Sequence, residues 1–349
     1  DGMGAMGYCY EHGKGVSKDE KKAFEWYVKA ANSGNSEGAC CVASCYIKGK
    51  GVPKDERKGF ELFMKEANNG NGEAMYWIGT CYENGYGVEK DEKKAFEWYQ
   101  KAMDNGYTGG MVQIGECYSE GKGVEKNEKK AFDFFMMAVE SGCIDAMAYV
   151  ALCYMKGIGV KMNKEKAFEW AMKAANHEYG PAQLFLAGLY LDDGVDKDEK
   201  KAFEWLKKAA NNGVSQAQKM IVGMYLKGIG VEKDEKKAFE WSLKAANDGD
   251  VISQKTIAGM YAQGVGVEKD EKKAFEWTLK AANGGDAEGM YYVGLFCENG
   301  FGVEQDKTKA FEWFMKAANN GNADAKQKLE DGYSKTTQSN SGSFGCVVQ

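Results

Sequence analysis

The phrase Lys-Asp-Glu-Lys-Lys-Ala-Phe-Glu-Trp stands unchanged at 18–26, 90–98, 197–205, 233–241 and 269–277, and looser copies occupy 54–62, 126–134, 162–170 and 305–313. Its phenylalanine falls at Phe24, Phe60, Phe96, Phe132, Phe168, Phe203, Phe239, Phe275 and Phe311, a step of 36 residues interrupted once by a step of 35. A fixed period of about 20–50 residues marks a repeat array, in which each unit carries an apolar face that only its neighbour can cover. That constraint displaces the two or three compact domains that a chain of 349 residues would otherwise suggest.

Residues 73–106 serve as the type unit. Glu73 to Asn84 is predicted as helix A, Gly85-Tyr86-Gly87-Val88 as a turn, and Asp91 to Asn105 as helix B. The Asp91 carboxylate can cap helix B, and Gly106 can take the left-handed conformation that ends it. Glu97 precedes Lys101 by four residues, the favourable order for a helical ion pair, and eight of nine units repeat that step; Asp133 with Met137 is the exception. Pro53 and Pro181 are the only prolines, as suits a helical chain.

Internal comparison marks the core face of helix A. Counting back from Tyr82 and its equivalents, position −8 is small throughout: Gly38, Ala74, Gly110, Ala146, Ala182, Ala217, Ser253 and Gly289. Position −4 is aliphatic apart from Met6, and position −3 is Gly or Ala except at Val222. With −1 and 0 these positions share one arc of the helix. The Trp of helix B (Trp26, Trp98, Trp170, Trp205, Trp241, Trp277, Trp313) is expected in the core beside the Phe.

The run small-x3-aliphatic-small-x2-Tyr, then Gly-x-Gly-Val, then Lys-Ala-Phe-Glu-Trp, then Lys-Ala-Ala-Asn-x-Gly resembles the Sel-like repeat family, a relative of the tetratricopeptide repeat. The resemblance covers about residues 1–333 in nine copies, the first truncated. It implies an all-α, right-handed superhelical solenoid of antiparallel helix pairs, with helices A lining the concave side. Residues 322–333 read as a capping helix with Ala325, Leu329 and Tyr333 inward, and 334–349 as a flexible tail. One joint departs from the pattern: Glu178 stands where Gly is expected, Pro181 opens the next helix, and the turn Asp192-Asp193-Gly194-Val195 is one residue short. A local offset in stacking between the fifth and sixth units is expected there. The chain opens at Asp1, partway into a repeat, so a fragment is expected.

Little in the sequence supports catalysis. His12 and His177 are the only histidines and lie far apart in repeat terms, so no nucleophile–base set assembles. The Gly-x-Gly-Val turns follow helices and lack the lysine of a phosphate loop, and the cluster Asp192, Asp193, Asp196, Asp198, Glu199 lacks calcium-loop spacing. No metal or cofactor is expected. The net charge of −6, with lysines interleaved among acids, argues against a nucleic-acid footprint. No apolar run approaches the roughly 18–20 residues that cross a bilayer. Cys9, Cys45, Cys81, Cys117 and Cys153 recur at position −1, where later units place Leu189, Met224, Met260 and Phe296, so the slot reads as buried and apolar. Equivalent positions in neighbouring units stand about 9–10 Å apart, too far for a disulfide. Reduced thiols in the cytoplasm are expected. Bacterial cysteine-rich relatives, to which β-lactam hydrolysis has been credited, carry cysteine pairs within each helix pair; here helix B has none.

The last four residues, Cys346-Val347-Val348-Gln349, fit a C-a-a-X prenylation box, with Gln favouring farnesyl. Lys335 is the only basic residue of the tail, so weak, reversible attachment to the cytosolic face of a membrane is expected.

Positions −6, −5 and −2 of helix A lie outside the core arc and should be polar unless used. They hold Tyr76, Trp77, Tyr149, Leu152, Leu184, Phe185, Tyr291, Tyr292 and Leu295, while Lys219 and Lys255 take −6 in the seventh and eighth units. These aromatics mark the expected partner-binding residues, although position −5 is close enough to the arc's edge to pack on a neighbouring unit. Sel-like proteins serve as adaptors. The resemblance therefore implies a non-catalytic, monomeric scaffold that binds a protein or peptide on its concave helix-A face. A regulatory module of a longer protein with a missing N-terminal domain is the alternative, and a β-lactamase-like hydrolase a remoter one.

Overall fold

Nineteen α-helices, and no strand, make up the residues described by this computed structural model, 2–192 and 197–333. Odd-numbered helices are helices A and even-numbered ones helices B. In order they are α1 (Gly2–His12), α2 (Glu20–Asn32), α3 (Ser36–Lys48), α4 (Glu56–Asn68), α5 (Gly72–Asn84), α6 (Glu92–Asp104), α7 (Thr108–Glu120), α8 (Glu128–Glu140), α9 (Ile144–Lys156) and α10 (Lys164–Asn176). There follow α11 (Gly180–Leu191), α12 (Glu199–Asn211), α13 (Ser215–Lys227), α14 (Glu235–Asn247), α15 (Val251–Gln263), α16 (Glu271–Asn283), α17 (Ala287–Asn299), α18 (Lys307–Asn319) and α19 (Ala323–Tyr333). Two compact units divide the chain, Asp1–Tyr179 and Gly180–Gln349, and within each unit every helix packs on the helices before and after it. The division falls at the irregular joint. There Glu178, at φ 60°, is the only non-glycine with positive φ among the described residues.

Local chemistry starts and stops the helices as the repeat requires. Asp91 accepts the Lys94 backbone N–H at 2.9 Å, and the equivalent Asp or Asn caps each helix B in the same way. At the other end of the turn, Gly85 closes α5 in the left-handed region at φ 78°. Gly87 has a second duty: a Cβ there would run into the Glu56 carbonyl in the first turn of α4. Gly51, Gly123, Gly159, Gly230, Gly266 and Gly302 meet the preceding helix B in the same way. The Gly-x-Gly turn therefore seats one repeat on the previous one.

Rings complete that seat. Phe24, Phe60, Phe96 and Phe132 meet Tyr46, Tyr82, Tyr118 and Tyr154 of the following helix A edge-on, with centroids 5.5–5.6 Å apart. Phe203–Tyr225 and Phe239–Tyr261 repeat the contact at 5.2 Å. Such pairs add about 0.5–1.5 kcal/mol each beyond the area they bury. Tyr99 donates to Glu83 at 2.7 Å, and Glu83 also accepts Lys122 from the next turn at 3.1 Å; Tyr27, Glu11 and Lys50 form the same bracket two repeats earlier.

Within a repeat, one slot between helices A and B is set by a matched pair. Gly7, Gly79, Gly115 and Gly294 at position −3 lie under the rings of Tyr27, Tyr99, Phe135 and Phe314, where an added Cβ would stand 2.5–2.6 Å from ring carbons. Ala43 shares its core cluster with Phe63. Where position −3 is Ala151, Ala187, Val222 or Ala258, helix B offers Ala171, Leu206, Ser242 or Thr278 instead.

Three expectations need correction. Trp26, Trp98, Trp170, Trp205, Trp241 and Trp313 are half-buried, and only Trp277, at 8% exposure, belongs to the core. Two residues beyond the Phe, the Trp is rotated more than half a turn away from the direction in which the Phe points. Nor does Glu97 pair with Lys101: the Lys101 ammonium lies 4.0 Å from the Trp98 ring centre. Lys29, Lys173, Lys208, Lys244, Lys280 and Lys316 likewise cover their tryptophans at 3.6–4.9 Å, since a half-buried ring face competes well against a solvated carboxylate. Finally, position −6 is not uniformly outside the core: Cys40 and Val112 are 2% and 6% exposed, because it borders position −3 and small apolar residues tuck in.

Candidate partner-binding faces

In the first unit, position −6 of one helix A meets the N-cap site of the next. Tyr76 on α5 lies 5.2 Å from Tyr107 (ring centroids), which stands where Asn35 and Asn71 cap their helices. Tyr107 makes no side-chain cap, nor does Cys143 before α9, and loss of such a cap costs about 0.5–2 kcal/mol. Tyr76 also contacts Trp77 at 5.4 Å and its own helix-B ring, Tyr99, at 5.8 Å. Trp77 stacks on Phe63 at 5.8 Å, and Tyr149 on Phe135 at 4.9 Å, so the −5 aromatics lean on the preceding helix B. Tyr76, Trp77, Tyr107, Tyr149 and Leu152 keep part of their surface in solvent.

Carboxylates run between the rings. Glu116 accepts from Tyr149 at 3.0 Å and from Gln113 at 2.7 Å, yet no lysine or arginine pairs with it among the described residues. Burial raises its pKa above the ordinary carboxylate value, against the opposing pull of those two hydrogen bonds. Burial does the same to Glu73, whose Oε1 lies 3.4 Å from the Trp77 indole nitrogen, and to Asp145. The Tyr76 phenol, itself raised by burial, feels the charges of Glu116, Glu83 and Asp145. A small cleft of about 270 Å³ opens beside Trp77, walled by Phe63, Lys48 and Thr80.

In the second unit the same link is ionic. Lys219 on α13 pairs with Asp250, the cap of α15, at 3.2 Å, and Lys255 on α15 pairs with Asp286, the cap of α17, at 3.2 Å. Leu184, Phe185 and Tyr291 are half-buried, Tyr291 against Phe314 at 5.7 Å, while Tyr292 is 43% exposed. Between α15 and α17 lies a cavity of about 550 Å³, with Ala258, Gly259 and Ala262 along one wall and Tyr292 and Phe296 along the other.

Sequence reasoning missed Tyr107, Glu116 and Asp145 in the first unit and Ile252 and Gly259 in the second. An Asn or Asp replaced by Tyr at a cap position was the available signal for Tyr107. No group of His, Cys, Asp or Glu among the described residues could hold a metal ion, and no described helix is long and apolar enough to cross a membrane. The nine described cysteines are unpaired, and burial pushes the thiols of Cys81, Cys117 and Cys153 up to about 12, which keeps them protonated and unreactive. Cys346 and Tyr333's side chain lie outside what is described.

Serial helix pairs, glycine-seated turns and rings shared between neighbours define an α-solenoid repeat protein. The Sel1 repeat model matches residues 1–35, 37–71, 72–107, 109–143, 144–179, 180–214, 222–250, 257–286 and 287–322, and the chain belongs to that family. The fold is one typical of protein–protein interaction scaffolds. The match omits 215–221 and 251–256, the first halves of α13 and α15. Among solved structures, a Sel1 repeat protein from Oxalobacter formigenes is 29% identical, with 88% of this chain and 89% of that one covered and a TM-score of 0.57. The protective antigen c5321 of uropathogenic Escherichia coli is 27% identical over 99% of this chain and 88% of that one, with a TM-score of 0.39. Helicobacter pylori cysteine rich protein B is 34% identical over 37% of this chain and 92% of its own, with a TM-score of 0.30. No curated protein matches the chain.

Proposed function

We propose that the protein is a non-catalytic scaffold whose helix-A faces hold a segment of a partner protein. The observation that carries this reading is the Tyr76–Tyr107–Tyr149 wall with Glu116 unpaired among its rings. Two caps are given up there, and Glu116, though it accepts from Tyr149 and Gln113, has no cation among the described residues, the pattern expected where local stability yields to recognition. Rings beside an unneutralised carboxylate suit a segment bearing lysine or arginine.

Selection of displayed random peptides on the intact protein tests the reading. Retained peptides should bind at least about tenfold more weakly to a Tyr76→Ala, Glu116→Gln variant, a loss of about 1.4 kcal/mol. Retained peptides indifferent to every helix-A substitution would refute it. Where Gln349 is the true carboxyl terminus, a prenyl group on Cys346 would add weak membrane tethering at the cytosolic face. Isoprenoid labelling that survives Cys346→Ser would refute that part.

A further inference from the structure

Five of the nine repeats fill the slot between their helices with a ring of their own, and the eighth does not. Its α16 places Thr278 where Tyr99, Phe135 and Phe314 stand in other repeats. The Thr278 hydroxyl donates to the Ala274 carbonyl at 2.8 Å, back along its own helix. What is left in place of a ring is the 550 Å³ cavity, bounded by Thr278, Ala258 and Gly259. Thr256, the other threonine in the wall, donates its hydroxyl to the Ile252 carbonyl at 2.9 Å. Lys255 at the mouth is held by Asp286 at 3.2 Å and Glu288 at 2.5 Å. Both threonine hydroxyls and the lysine are engaged, and Gln263 and the Tyr292 phenol add polar atoms to the lining. Ile252, Ala258, Gly259, Ala262, Phe296 and the Tyr292 ring supply a mostly apolar surface, so the cavity suits an apolar group with a polar edge.

Two further features point outward from the same place. Ile252 and Tyr292, 58% and 43% exposed, line the cavity and leave large apolar groups in water. Gly188, Gly223 and Gly259 repeat at position −2 of α11, α13 and α15, and a Cβ at any of them would meet nothing within 4 Å. Glycine weakens a helix interior relative to alanine, and here no internal contact demands it. The first unit carries Thr80, Glu116 and Leu152 at that position. Bare backbone beside an open slot lets another chain come close.

We propose that the slot of the eighth repeat is an anchor site for an aromatic side chain on a partner's peptide segment, whose ring takes the place that Phe314 or Tyr99 takes from within. This rests on the scaffold reading and names one contact of it.

The test uses the same displayed peptides on the intact protein, with counter-selection on Thr278→Phe, which supplies the ring internally. Phe63 beside Ala43 shows that alanine at position −3 tolerates a phenylalanine. Gly259→Met is the second variant, since its side chain grows into the cavity without a clash at Cβ. Peptides retained by the native chain should carry one aromatic residue in common. Its change to alanine, Thr278→Phe and Gly259→Met should each weaken binding at least about tenfold, and combining the peptide change with either variant should cost little more. Peptides that bind native and Thr278→Phe chains equally, yet lose affinity with Tyr76→Ala and Glu116→Gln, would overturn the anchor and leave the scaffold reading standing. No retained peptide would overturn both. Binding of N-acetyltryptophanamide, blocked by Thr278→Phe, with no peptide dependent on the slot would overturn the peptide occupant.

Discussion

The third repeat and the eighth solve one packing problem in opposite ways. In the third, Gly79 admits the Tyr99 ring, which is fully buried, and Tyr76 meets Tyr107 on the helix-A face. In the eighth, Ala258 faces Thr278, a cavity remains, and Lys255 meets Asp286 instead. The lesson is that the slot and the helix-A link are separable from the parts that stack the repeats. Both repeats keep the seating glycine, Gly87 or Gly266, and both keep the edge-on ring pair, Phe60–Tyr82 or Phe239–Tyr261. Stacking is therefore held constant while the face and the slot vary. An array can in this way vary its exposed face without changing its fold.

The largest expected effect breaks the third repeat. Tyr99→Ala removes a ring with no solvent exposure and leaves Glu83 without its 2.7 Å donor, so a loss of about 3–5 kcal/mol is expected from denaturant unfolding. Thr278→Ala should cost far less, because its surroundings already hold empty space. Equal losses at the two sites would contradict the distinction drawn between them.

Next comes the part both repeats share. Gly123→Ala places a Cβ against the Glu92 carbonyl at a residue whose φ is 67°, so about 1–3 kcal/mol should be lost from the thermal or denaturant midpoint. Gly142→Ala, also at positive φ but with nothing near its Cβ, separates backbone strain from inter-repeat collision and should cost less. If the two cost the same, the seating role of the Gly-x-Gly turn fails.

How far this was readable from the chain differs by feature. The fold was legible because the seating glycines and the Phe–Tyr pairs recur at one spacing, and period alone places them on facing surfaces. The Trp98 environment was not, since its place two residues after Phe96 in the repeated phrase looks core-like until the helix geometry turns it outward beneath Lys101. The matched pair Gly79–Tyr99 and its counterpart Ala258–Thr278 were both in the sequence, but recognising the slot required knowing that these positions face one another. Glu116 was hidden for another reason: a glutamate on an exposed helix position is ordinary, and only its burial among rings without a cation sets it apart.

A smaller effect sharpens the contrast between the two faces through pH. Burial holds the Glu116 carboxyl above its unfolded value, so between the two values the folded chain keeps more protons than the unfolded one. The contribution of this group to stability therefore falls as pH rises through that window, and the full penalty remains at neutral pH. Glu116→Gln, which keeps an acceptor for Tyr149, should raise the urea midpoint at pH 7 and leave it unchanged below pH ~3, where the carboxyl is protonated in both states. A midpoint raised equally at both pH values would exclude the carboxylate charge as the cause. Asp286→Asn in the second unit should behave in the opposite sense at neutral pH, because it deprives Lys255 of a partner.

The most direct measurement is the thermal melt of the intact Thr278→Phe chain. If the eighth repeat lacks the ring that its fold can accommodate, the substitution fills the cavity and raises Tm by about 2 °C or more at unchanged helix content. A lower Tm would mean that the space beside Ala258 cannot take a ring, and the comparison between the third and eighth repeats would not hold.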